Sequence, residues 1–378
     1  MSAKPGAPRV LSLFGSLAQG APHAERFVRI ANGFGGRLRH FVVAGDGDYA
    51  ALTAIERGIA VERLGDFPVL SGLPLPGRMQ SIARAMLDYH LVLSWGWNAI
   101  DGVLAHTSFS QVHELPPLIH HEDGSEETAR QRSRMRSRWY RRVGLGKASG
   151  LVVPTETMEG VALEGWQQPI GRVKVIRDGV AMPRDARKSA ASGIGRLLKR
   201  EGELWIGCVT GFETGEGIVP LVEALPGLAE EWHLVFLGEG RGQAAAEAAA
   251  GRLGIDHRVH VLPGGTDHAV AMPQFDLFVA PPTSELLPFA VIEAMAHGLA
   301  VVAPNTPDIA QALGPDNAAY LAEHRDIPSL LSRFASDPYL RESLGAGNRE
   351  RARAERDAKD MIAAYRRLYA SAMKRDTL

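Results

Sequence analysis

Apolar and polar positions alternate along this chain in two successive rounds of one pattern. In the first round, short apolar runs at 9–15 (RVLSLFG), 38–45, 90–97, 116–124, 148–155 and 173–180 read as strands. Between them lie stretches with apolar residues at helical spacing, such as 23–35 (HAERFVRIANGFG) and 156–166 (ETMEGVALEGW). Strands that alternate with helices need right-handed crossovers, which predicts a parallel sheet. From 183 to 202 the chain is rich in Ala, Ser, Gly and charge, shows no strand pattern and reads as a linker. The pattern restarts with strands at 203–211, 232–240, 258–264, 275–281 and 299–304, helices at 217–228 and 243–254, and a helical turn at 267–274. After about Ile327 the chain reads as helical, with a final helix near Ala354 to Met373. The predicted fold class is α/β: two doubly wound Rossmann-like domains, with a ligand cleft between the carboxyl ends of facing sheets.

One stretch of the second round carries chemistry. In SELLPFAVIEAMAHGLAVVA (284–303), Pro288 suits the first position of a helix, and Gly298 stands where a left-handed residue would end it. Glu285 then sits in the loop at the positive end of the helix dipole, with Glu293 inside the helix. The first-turn N–H groups of Phe289 and Ala290 make an anion site, and the carboxylates beside it suit sugar or ribose hydroxyls. The other reading is an acidic first turn that only caps the helix.

Composition narrows the classes. The 378 residues suit two domains, and a net charge of −1 argues against a dedicated nucleic-acid binder. The single cysteine, Cys208, excludes an internal disulfide and fits a reducing compartment. The N-terminus has no cleavage-site pattern, and no window reaches 18 apolar residues, so the reading is of a cytoplasmic chain.

The segments LVFLGEGRGQ, RVHVLPG, FDLFVAPPTSELLPFAVIEAMAHGLAVVAP and VKVIRDGV resemble those of the GT-B glycosyltransferases of family 4. The resemblance implies an N-terminal acceptor-side domain over 1–182, the linker 183–202, and a nucleotide-sugar-binding domain over 203–350. A C-terminal helix within 351–378 would return to the N-terminal domain. It implies sugar transfer from a nucleotide-sugar to a glycan or lipid-linked acceptor with retained anomeric configuration, and no cofactor or protein-held metal. Glu285 would contact the transferred sugar and Glu293 the ribose, with the amides at Leu287, Phe289 and Ala290 on the diphosphate. The loop from Gly15 to Gly20 would face the donor phosphates and the acceptor, Gly238 would lie in a tight turn flanking the nucleotide, and His121 would lie near the transferring sugar. The chain also departs from the family. Where relatives carry an Arg and, five residues on, a Lys that clamp the diphosphate, it has Gly211 and Glu216. Arg241 and Arg26 are the cations left to compensate.

Three further features keep more than one reading. HHEDG (120–124) is a polar turn, a sugar contact through His121, or a metal site, the last opposed because adjacent strand residues point to opposite faces. GEGRG (238–242) lacks the later acid of a dinucleotide fingerprint, and Arg241 is either a phosphate contact or a surface residue. The segment 129–147 has Arg at 130, 132, 134, 136, 138, 141 and 142, with Met135, Trp139 and Val143 at helical spacing. Such a helix either lies on an anionic membrane surface or packs by that stripe with its charges in water. Two alternatives to an active transferase follow: a glycosyltransferase-like binding or regulatory protein, favoured by the missing clamp, and a nicotinamide-dependent oxidoreductase or epimerase, opposed by the missing ribose acid.

Overall fold

The computed structural model describes residues 6–122, 131–183, 193–210, 217–240, 242–281 and 287–378, with backbone alone at 131–136 and at His324. It divides into two compact units. Unit 1 runs to Asp178 and takes back Lys359–Leu378, and unit 2 is Gly179–Ala358.

Among the described residues of unit 1, seven parallel strands are β1 (Arg9–Phe14), β2 (Arg39–Ala44), β3 (Val61–Arg63), β4 (Leu91–Trp95), β5 (Leu118–His121), β6 (Gly150–Val153) and β7 (Val173–Val175). Their order across the sheet is β3-β2-β1-β4-β5-β6-β7. The helices between them are α1 (Pro22–Phe34), α2 (Pro76–Ala85), α3 (Ile100–Phe109), α4 (Gln131–Gly144) and α5 (Glu156–Gly160). Alternate residues of β1 feed two cores, Val10 and Phe14 into one and Leu11 and Leu13 into the other, which is why both faces need helices.

Unit 2 opens with an antiparallel pair, β8 (Gly193–Ile194) and β9 (Leu197–Leu198), inside the stretch where the sequence shows no strand pattern. Two-residue strands are too short for periodicity to register, although Ile194 is buried in the unit 2 core. A parallel sheet follows: β10 (Leu204–Val209), β11 (Trp232–Leu237), β12 (Val259–Leu262), β13 (Leu277–Val279), β14 (Val301–Pro304) and β15 (Leu321–Ala322), in the order β12-β11-β10-β13-β14-β15. Its helices are α6 (Val219–Ala224), α7 (Gln243–Leu253), α8 (His268–Ala271), α9 (Phe289–Ala296), α10 (Pro307–Leu313), α11 (Ile327–Ser336) and α12 (Pro338–Glu355). The last helix, α13 (Ala358–Ala372), lies almost wholly in the segment that clusters with unit 1, where Tyr365 and Tyr369 are fully buried beside Phe34 and Trp95.

Each sheet reverses direction once. In unit 1 the chain winds outward from β1 through β2 to β3, then starts again at β4 on the other side. In unit 2 it winds from β10 to β12 and restarts at β13. Doubly wound sheets bind ligands outside the carboxyl ends of the strands at such reversals. The two places to search are therefore the ends of β1 and β4, and the ends of β10 and β13.

Candidate functional site

At the reversal in unit 2, the loop after β13 leads into α9. Pro288 is the N-cap rather than the first helical residue, its extended backbone (φ −72°, ψ 147°) bringing the chain in before Phe289 starts the helix. Leu287 is half-buried against the core. At the other end Gly298 is left-handed (φ +76°). Its N–H bonds the Met295 carbonyl at 2.9 Å and that of Leu299 the Ala294 carbonyl at 3.0 Å, a Schellman cap. Every side chain of α9 is buried except Glu293, which is partly exposed. A helix apolar on all sides has no packing reason to keep a carboxylate at its one opening, so that residue calls for a polar partner. Glu293 Oε2 lies 2.7 Å from His268 Nδ1, the first residue of α8. Phe289 and Ala290 are buried and form the first turn of α9. Glu285, Gly211, Glu216 and Arg241 lie outside the described residues.

The turn after β11 follows the strand that neighbours β10. Gly238 and Gly240 have φ of +153° and +158°, which side-chain-bearing residues rarely adopt. Between them Glu239 accepts from the Gly264 N–H at 3.3 Å, tying this turn to the loop after β12.

In unit 1 the Gly15 loop sits at the other reversal. A Cβ at Gly15 would stand 2.2 Å from the Asn98 Cβ, so the loops after β1 and β4 approach as closely as only glycine allows. Gly20 is left-handed at φ +80° just before α1. Arg26, expected as a spare cation, is 3% exposed and makes a bidentate pair with Asp178 at 2.6 Å on both arms. Its charge is thereby matched inside unit 1.

His120 and His121 point to opposite sides of β5, and His121 is not placed as a sugar contact. Its ring is 1% exposed and lies against Trp95 with centroids 3.9 Å apart and planes 11° from parallel. Nδ1–H donates to the Ser94 carbonyl at 3.2 Å, and Nε2 accepts from the Tyr369 hydroxyl at 2.9 Å. Burial, and then the neighbouring His120, hold His121 well below the ordinary histidine range, so the imidazole is neutral and suited to both bonds. His121 thus secures α13 to the sheet. The sequence placed it correctly at a strand end, but the covering helix is some 250 residues away and invisible to local reasoning.

The Arg-rich helix does not pack by the stripe of Trp139 and Val143. Ser137, Arg141 and Gly144 form its buried face, while Trp139 and Val143 are 60% and 40% exposed. Arg141 is fully buried between Trp97 and Trp166, 4.8 and 4.7 Å from their ring centroids, and pairs with Glu122 at 2.6 Å. Burial alone would raise the Glu122 carboxyl. The Arg141 charge and the His120 hydrogen bond more than offset this and hold it at about 2. The side chain of Met135 lies outside the described ones.

Among the described residues no group of three or more His, Cys, Asp or Glu side chains could hold a metal ion, and no helix is long and apolar enough to cross a membrane. Residues 203–336 match the family model described as glycosyl transferases group 1. A Haemophilus influenzae protein described as an uncharacterized glycosyltransferase is 26% identical over 139 residues, which span 36% of this chain and 39% of that protein. Among solved structures, the HepE protein of Anabaena in complex with UDP superposes with a TM-score of 0.77 at 17% identity, covering 96% of this chain and all of that one. Sucrose-phosphate synthase from Thermosynechococcus elongatus gives 0.72 at 16% identity, over 97% of this chain and 99% of its own. WaaG, a glycosyltransferase involved in lipopolysaccharide biosynthesis, gives 0.64 at 16% identity, over 94% and 98%. The chain thus has the fold of these GT-B glycosyltransferase structures, and its 203–336 segment is similar to the group 1 glycosyl transferases.

Proposed function

We propose that the protein transfers a sugar from a nucleotide-sugar to a glycan or lipid-linked acceptor, with retained anomeric configuration, in cell-surface polysaccharide or glycolipid synthesis. The observation that carries this is Glu293, the one opening in an otherwise buried helix at the sheet reversal of the group 1 domain. In this reading Glu293 accepts from the ribose hydroxyls, and the amides at Leu287, Phe289 and Ala290 meet the diphosphate at the positive end of α9. Glu285 contacts the transferred sugar, Gly238 lets the chain pass close to the nucleotide, and the Gly15–Gly20 loop serves the donor phosphates and acceptor. Support also comes from the UDP complex of HepE and from the lipopolysaccharide role in the description of WaaG.

Calorimetric titration with nucleoside diphosphates, followed by a panel of nucleotide-sugars assayed for transfer and hydrolysis, tests the reading. Glu293→Ala is expected to weaken nucleoside diphosphate binding by about 1.5–3 kcal/mol, the range for hydrogen bonds to a charged group. Glu285→Ala should impair transfer more than affinity. Unchanged affinity in a folded Glu293→Ala protein would remove the ribose assignment. Measurable binding with neither transfer nor hydrolysis for any donor would favour the binding or regulatory alternative, which Gly211 and Glu216 support.

A lipid-linked acceptor would place a cytoplasmic enzyme at the membrane surface, and α4 offers the contact: Trp139 and Val143 stand exposed beside Arg138 and Arg142. Apolar and cationic side chains on one exposed face suit anionic headgroups. Arg138→Gln and Arg142→Gln with Trp139→Ser should cut co-sedimentation with anionic vesicles about tenfold or more, at roughly 1 kcal/mol for each Arg, and added salt should do likewise. Equal partitioning of wild type and variant would leave α4 a solvated helix.

A further inference from the structure

We propose that His268 is a positioning residue that holds the Glu293 carboxylate for the ribose diol of the donor; this rests on the nucleotide-sugar reading above. The placement starts with topology. The connection from β12 to β13 must pass from one side of β10 to the other, and α8 lies in that crossover. It therefore brings its first residue to α9, the first helix after the reversal.

Local structure then fixes the imidazole. Asp267 caps α8, its carboxylate accepting the Ala269 N–H at 2.9 Å, which sets the backbone at His268. Ala271, the last residue of α8, and Met272 after it are buried in the same core as Phe289, Ala290 and Ile292 of α9. Both helices are thus seated in one packed layer, and the 2.7 Å contact between Nδ1 and Oε2 joins two anchored backbones. A contact of that length is in the charge-assisted range.

Exposure and chemistry separate this pair from a tie that only joins two helices. The side chains are 26% exposed for His268 and 13% for Glu293, so the carboxylate is walled in yet reachable. Each carboxylate oxygen has two acceptor sites, so a hydrogen bond from Nδ1–H to Oε2 does not exclude acceptance from a hydroxyl. It fixes the plane of the carboxylate and its χ angles before a ligand arrives, removing part of the ordering cost of binding. A vicinal diol offers two donors at a set spacing, which a carboxylate held in one plane meets better than a rotating one.

The test compares uridine and adenosine diphosphates with their 2′,3′-dideoxy counterparts by calorimetry. The wild type should prefer the ribose forms by about tenfold or more, since the dideoxy forms leave the carboxylate without its hydroxyl partners. His268→Phe and His268→Ala should reduce that preference by a factor of about three to ten, while His268→Asn, whose amide N–H replaces Nδ1–H, should keep it. A helix tie alone would weaken ribose and dideoxy binding equally, so a wild-type ratio in either the Phe or the Ala variant, with folding verified by thermal melting, overturns the positioning role. Loss of the ratio in the Asn variant as well as the others also overturns it, since a restored donor would then have no effect. Absence of any nucleoside diphosphate binding by the wild type overturns the nucleotide reading and this role together.

Discussion

Arg141→Ala is expected to destabilise unit 1 by about 3–5 kcal/mol, the cost of removing one partner from a buried ion pair. For a domain of this size that corresponds to a melting-point drop of about 6–20 °C, at roughly 2–4 °C per kcal/mol. The cause is what stays behind. Glu122 is 1% exposed, and without Arg141 its charge would keep, among the described residues, the His120 hydrogen bond at 3.1 Å as its side-chain partner. The guanidinium also fills the space between Trp97 and Trp166, so truncation removes packing as well as charge. Arg142→Ala, one residue along the same helix but exposed, should change stability by no more than about 0.5 kcal/mol. Replacing the pair together, Glu122→Gln with Arg141→Met, should recover most of the loss, because neither residue then carries a buried charge. Urea unfolding of the four proteins decides the matter: equal midpoints for Arg141→Ala and Arg142→Ala would show that Arg141 is not structurally committed.

That same residue marks where sequence reasoning stops. The long strands were legible because their apolar runs are interrupted by at most one polar residue, as by Ser12 in β1, Ser94 in β4 and His233 in β11, and α9 was legible from Gly298 and its apolar content. β3 and β15 were not, since three and two residues with partial exposure leave no pattern. The apolar stripe of α4 left its orientation open, and nothing local marks which Arg is buried: Arg141 looks like a surface residue until Trp97, Glu122 and Trp166 arrive from three other parts of the chain. His121 likewise carries no local sign that Tyr369 will cover it. Of the candidate site, Glu293 stood out by its place in a helix otherwise apolar, whereas His268 sat in a short turn with nothing to mark it. Its meaning depends on a crossover that only the strand order reveals.

Restoring the clamp is expected to raise turnover more than any other change. As the glycosidic bond breaks, the diphosphate leaving group gains negative charge, so cations aimed at it stabilise the transition state beyond the ground state. At the positions where the resemblance to family 4 implies an Arg and a Lys, this chain has Gly211 and Glu216, between β10 and α6 in the sequence. Arg26 does not make up the difference, because Asp178 already matches its charge. What remains is Arg241, outside the described residues, and the start of α9, whose dipole contributes about 0.3–1 kcal/mol at exposed sites and up to about 2 when partly buried. A lost donor to a developing oxyanion costs about 10²–10³ in rate. Turnover by the native chain should accordingly be slow, and Gly211→Arg with Glu216→Lys should raise kcat by about 10²-fold or more, with a smaller effect on donor KM. The double substitution should exceed the sum of the single ones in free energy, since one diphosphate would contact both side chains. Single-turnover assays with nucleotide-sugars measure this directly. A rate that falls or stays level in the double variant would show that the leaving group is stabilised by other residues, and an absence of transfer even then would assign the domain to nucleotide-sugar binding without catalysis.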